Sequence, residues 1–161
     1  MNNKGFTIVE LLVATALFVI VVGIASGVFV QSLRIQQLAV TLMAANDNAS
    51  LTLEQMAKEI YISSQFSTNL DKTELSFISQ REGNVVYKFN KSEGIIERNG
   101  VALTSRNVKV QYLFFDLLGS DLNDGQSTRI TIRLGVSANN KRVEDIITNL
   151  QTTVSSRQLD T

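Results

Sequence analysis

Glu10 is the residue whose placement most constrains the chemistry of this chain. It stands at the head of Leu11 to Leu33, a stretch without a single charged side chain. Such a run is long enough to cross a hydrocarbon core, which takes about 20 apolar helical residues. A carboxylate at membrane depth is costly, and by default it marks function and calls for a named partner. No cation of the neighbouring sequence fills that role within the span. The chemistry implied is charge pairing in a low-dielectric setting, not bond making.

Catalytic alternatives are poorly supplied. The chain has 161 residues, no histidine, no cysteine and no proline. Without histidine the usual general base and the commonest metal ligand are missing. Without cysteine there is no thiolate nucleophile, thiolate metal site or disulfide. No nucleophile elbow or phosphate-binding glycine loop is present. The expectation is a protein that is not an enzyme and carries no cofactor. The acidic loop Asp116, Asp121, Asn123 and Asp124 offers oxygen ligands of the kind that hold calcium. It departs from the EF-hand spacing, and a solvated loop between strands is the preferred reading. Net charge is zero, and Lys88, Lys91, Arg98, Arg106, Arg129, Arg133, Lys141 and Arg142 are scattered among acids. Nucleic acid is therefore not an expected partner.

The segment Gly5-Phe6-Thr7-Ile8-Val9-Glu10 resembles the type III signal of type IV pilins and pseudopilins. That resemblance implies a cut between Gly5 and Phe6 by a prepilin peptidase, which also methylates the new amine. Glu10 becomes the fifth residue of the mature chain. Cleavage creates an α-ammonium on Phe6, since such amines titrate near about 7.7–8.0. In a filament that ammonium can meet Glu10 of a neighbouring subunit, making the carboxylate a register and recruitment device. Leaving one member of a buried pair alone is costly even where the pair itself adds little.

Two plainer readings compete. A secretory signal peptide would use Lys4 as its charged head and Gly23-Ile24-Ala25 as a cleavage pattern. A plain single-span anchor would place Glu10 at the interface without an assembly role. Either would leave a β-rich binding domain, anchored or secreted. The position of Glu10 and the apolar run beyond Ala25 favour the pilin-like reading.

The elements behind the span follow from periodicity. Leu38, Leu42, Ala45, Ala49, Leu53, Met56 and Ile60 recur every three or four residues, the spacing of one helical face. One helix is predicted from about Phe6 to about Ser64. Glu54 and Lys58 form a favourable i,i+4 pair on it. Gly23 and Gly27 make a G-x-x-x-G pair that lets membrane helices approach closely. The resemblance adds that they can let the helix loosen on leaving the bilayer.

Ser63 to Lys72 reads as a connection. Beyond it the pattern switches to period two. Strands are predicted at Thr73–Ser79, Val85–Asn90, Ile95–Arg98 and Val101–Leu103, with Asn99-Gly100 as the hairpin turn. Val108, Val110, Tyr112 and Phe114 are expected on one buried face. Ile130, Ile132, Leu134 and Val136 form another, with Arg129, Thr131 and Arg133 outward. Ile146, Thr148, Leu150, Thr152 and Val154 form the last strand.

The expected class is α+β and pilin-like: a long N-terminal helix packed by its second half on a C-terminal antiparallel sheet. The implied organisation is a cleaved leader at 1–5, a transmembrane and filament-core helix at 6–33, its amphipathic half at 34–64 and a β-rich region at 65–161. Leu53 to Ile60 and Leu150 to Val154 are similar to J-type minor pseudopilins and related minor pilins. The resemblance implies a minor subunit of a type IV pilus or type II secretion pseudopilus. Its partners would be other pilin or pseudopilin subunits, prepilin peptidase/N-methyltransferase, an inner-membrane assembly platform and membrane lipid. The chain would lie in a bacterial cytoplasmic membrane with its N-terminus inside, as Lys4 suggests, and later in an extracytoplasmic filament. Many major pilins carry a C-terminal disulfide, and this chain cannot form one.

Overall fold

A computed structural model describes residues 5–119 and 127–157. One helix, α1, runs from Ile8 to Tyr61 without interruption. The absence of proline permits this, since no residue removes an intrahelical donor. The chain divides into two compact units, Met1–Val40 and Thr41–Thr161.

In the first unit every described residue of α1 up to Gln37 is exposed. The helix holds an 18-residue window of mean hydropathy 2.8, long and apolar enough to cross a membrane. Two of its hydroxyls are satisfied internally. Thr15 Oγ1 donates to the Leu12 carbonyl at 3.0 Å and Ser26 Oγ to the Val22 carbonyl at 2.8 Å. Each brings its own acceptor into the apolar stretch, as a hydrocarbon setting demands.

In the second unit the rest of α1 is amphipathic. Ala45, Ala49, Leu53, Met56 and Ile60 are buried, as their spacing requires, and Thr52 joins them. Thr52 Oγ1 donates to the Asn48 carbonyl, so its hydroxyl carries no unmet bond into the core.

Eight strands follow: β1 (Ser64–Thr68), β2 (Glu74–Ser79), β3 (Gly83–Asn90), β4 (Ile95–Arg98), β5 (Val101–Ala102), β6 (Val108–Leu118), β7 (Arg129–Ala138) and β8 (Thr148–Ser155). They make two antiparallel sheets, ordered β1-β2-β3-β4-β5 and β6-β7-β8. The single expected sheet is thus two. Isolated backbone bonds bridge them: Val110 N–H donates to the Gly94 carbonyl at 2.7 Å, and Phe115 N–H to the Lys72 carbonyl at 2.8 Å. The α+β class stands. The polar segment read as a connection contains β1, which carries a bulge and holds Gln65 at φ 56°. Phe66 is its buried side chain. The hairpin at Asn99-Gly100 is as expected: both residues have positive φ, and Arg98 pairs with Val101 across them.

The face assignment on β6 needs correction. Its register against β7 shifts between Val110 and Tyr112, so Gln111 is an extra residue. Beyond this bulge the alternation inverts. Val108, Val110, Leu113 and Phe115 are buried, whereas Tyr112 and Phe114 are only half-buried on the opposite face. On β7, Ile130, Ile132, Leu134 and Val136 are fully buried, as expected. The last strand begins at Thr148, leaving Ile146 half-exposed before it.

Candidate functional site

The first turn of α1 is closed by a reciprocal pair. Thr7 directly precedes the helix. Its backbone N–H donates to Glu10 Oε2 at 2.9 Å, and its hydroxyl donates to the same oxygen at 2.8 Å. Glu10 N–H returns a bond to Thr7 Oγ1 at 3.2 Å. This is a capping box: an N-cap threonine and a glutamate three residues on satisfy each other's free donors. The positive end of the helix dipole adds to the fit of a carboxylate here.

Gly5 and Phe6 lie just before this turn, in exposed backbone outside any regular element. The Gly5–Phe6 bond is therefore open to an enzyme. Cutting it leaves the Thr7 amide and hydroxyl untouched, so the box is compatible with maturation. It would then stand one residue from the new α-ammonium. Sequence inspection singled out Glu10 but passed over Thr7. The signal was present as Thr-x-x-Glu ahead of an apolar run.

Gly23 and Gly27 are one turn apart on α1. Nothing lies within 4 Å of a side chain that might be built at either, so both offer open backbone to another helix. Their surroundings are long apolar side chains exposed on every side, among them Phe18, Val22, Ile24, Val28 and Phe29.

A second polar constellation fixes the helix end within the folded unit. Glu59, on α1, receives a two-pronged bond from Arg98 on β4, Nε to Oε2 at 3.1 Å and Nη2 to Oε1 at 2.6 Å. Arg98 also reaches Glu82 at 2.7 Å, and the Tyr87 hydroxyl donates to Glu59. Arg98 holds the Glu59 carboxyl below the usual carboxylate range, against the opposing pull of burial. Burial and the adjacent carboxylate push the Tyr87 phenol well above its ordinary value. These groups join residues 39 positions apart, and no local pattern announces them. Their role is positional: they lock the last turn of α1 onto the first sheet.

Of the acidic loop, Asp116 sits on β6 and is already engaged. Lys72 Nζ meets Oδ1 at 2.9 Å and Arg133 Nη2 meets Oδ2 at 2.8 Å. The Lys72 ammonium, helped by Arg133, keeps its carboxyl below the usual range. Asp121, Asn123 and Asp124 lie outside the described residues.

A long apolar helix headed by an accessible Gly–Phe bond and a capped glutamate, and followed in sequence by antiparallel sheets, fits a membrane-anchored, pilin-like protein. Residues 1–26 match the prokaryotic N-terminal methylation motif, which supports a type IV pilin- or pseudopilin-like substrate of prepilin peptidase. No curated protein matches the chain. No solved structure matches it either.

Proposed function

We propose that the chain is a minor pilin-like structural subunit, not an enzyme, built into a type IV pilus or a type II secretion pseudopilus. The observation that carries this reading is the methylation motif over residues 1–26 leading directly into an apolar helix with Glu10 in its first turn. The precursor waits in the bacterial cytoplasmic membrane with its N-terminus inside. Prepilin peptidase cuts between Gly5 and Phe6 and methylates the Phe6 amine. An inner-membrane assembly platform then moves the subunit from lipid into a filament whose core is made of such helices. Glu10 accepts the N-terminal ammonium of a neighbouring subunit, while Gly23 and Gly27 allow close packing or loosening of the helix. Unit Thr41–Thr161 is carried outside the membrane.

Mass spectrometry of the N-terminal peptide, from membrane and sheared-fibre fractions, tests the reading. A chain starting at N-methylated Phe6 and present in fibres supports it. A chain starting after Ala25 would make it a secreted domain. One still starting at Met1, in cells with active peptidase, would make it a plain anchor.

A further inference from the structure

Strand β8 is an open sheet edge of an unusual kind. It pairs with β7 along its whole length in unbroken register, from Arg129 opposite Ser155 to Val136 opposite Thr148. Among the described residues, no backbone group of 148–154 bonds anything beyond β7. Natural edges are usually blunted by charge, proline, a bulge or shortness. Thr148-Asn149-Leu150-Gln151-Thr152-Thr153-Val154-Ser155 has none of these defences. Its C-terminal end is held firmly: Ser156 N–H donates to the Thr128 carbonyl, Ser156 Oγ to the Ser63 carbonyl and Arg157 N–H to the Tyr61 carbonyl. The core-side residues Leu150 and Val154 are only half-buried, although their β7 partners Leu134 and Ile130 are wholly buried. Both the backbone and the apolar face are therefore incomplete at this edge.

We propose that β8 accepts an extended, uncharged segment from a different pilin-like subunit, which adds a fourth strand to the β6-β7-β8 sheet. The segment would carry apolar residues at alternate positions to cover Leu150 and Val154. The choice of a different subunit rests on the function proposed above. Copies repeated along a fibre need a contact between two unlike patches, whereas one edge pairing with itself makes a closed pair. Among the described residues there is no second edge to match. β5 has two residues, β1 is bulged at its start, and β6 is bonded at Val110 and Phe115 to the connecting turns of the first sheet. The acceptor is thus filled by an unlike chain.

Residue-resolved amide exchange on the full chain in detergent micelles tests this. The probes are the other pilin-like subunits of the same source, each purified with its own helix and added singly. The expected result is exchange slowed at least about tenfold at about four alternating amides of β8 with one such subunit. A Gln151→Lys/Thr153→Lys chain, changed only at exposed positions, should lose that protection while keeping protection on β7. Slowing that appears on concentrating this chain alone would overturn the proposal in favour of self-pairing. Exchange unchanged by every subunit would overturn it outright. The N-terminal mass of the same sample separates the two readings. N-methylated Phe6 with an unprotected β8 sinks the edge proposal alone. Met1 with β8 protected by an unlike subunit sinks the processing step alone.

Discussion

The ring of Tyr112 lies directly over Gly135, its register partner on β7, and its hydroxyl donates to Asn149 on β8 at 2.8 Å. One side chain thereby spans all three strands of its sheet. The arrangement depends on the bulge at Gln111, which turns Tyr112 to the outer face, and on the missing side chain at Gly135. A Cβ there would overlap the ring. Phe114 stacks beside Tyr112 with centroids 5.8 Å apart, and Arg133 caps Phe114 at 5.5 Å.

Gly135→Ala should destabilise the fold by about 1–3 kcal/mol, because the ring must leave its place. In a Tyr112→Ala background the same change should cost little. Denaturant unfolding of the four chains in detergent, treated as a double-mutant cycle, gives the coupling. Equal costs in both backgrounds would mean that the glycine is needed for some other reason.

Glu59→Gln should cost about 2–3 kcal/mol, since it leaves Arg98 with a weakened partner and keeps the shape. The pH dependence follows from the sign of the shift. Glu59 has a lowered folded pKa, so its contribution is complete above its ordinary value of 4.5. That contribution is lost as pH falls below 4.5 through the folded value. Unfolding free energies between pH 7 and pH 3, about the range that spans this loss, should fall more steeply for the native chain than for Glu59→Gln. Parallel curves would remove Glu59 as a source of acid sensitivity.

Asp116→Asn should change stability by less than about 1 kcal/mol, because Lys72 and Arg133 are both substantially exposed. The difference should shrink in high salt. A large, salt-independent loss would point to a role for Asp116 beyond these two ion pairs.

Glu10→Ala should be processed normally and enter fibres poorly. Thr7→Ala keeps the backbone N–H bond to Glu10 but removes both contacts of the hydroxyl. It should fray the first turn of α1, seen as faster amide exchange at Ile8 to Glu10, and lower incorporation less than Glu10→Ala does. Wild-type incorporation of Glu10→Ala would end the charge-register idea.

The parts of this molecule governed by local pattern could be read from the chain itself. The helix shows in its three-and-four spacing, the β4–β5 hairpin in Asn99-Gly100, and the buried face of β7 in its alternation. What escaped depends on partners far along the chain. The outward turn of Tyr112 and Phe114 comes from one extra residue, which inverts a period-two pattern without altering composition. β1 escaped because its polar run buries little beyond Phe66. Splitting the strands into two sheets depends on which edges β6 bonds, and no window of sequence contains that. At the N-terminus the lesson differs: Thr7 was legible as a capping partner, but the span and its acid drew the reading toward intermolecular pairing.

That cap bears on the proposed step from lipid to fibre. A glutamate waiting alone would be a vacancy, and any ammonium reaching it would be held by the full energy of filling it. Here the carboxylate already holds two donors from Thr7. Both go to Oε2, so on the proposed reading Oε1 is left to accept a neighbour's ammonium, which would add to the cap without displacing it. The first turn of α1 would then hold the carboxylate in place before its partner arrives, so that docking would not have to order it.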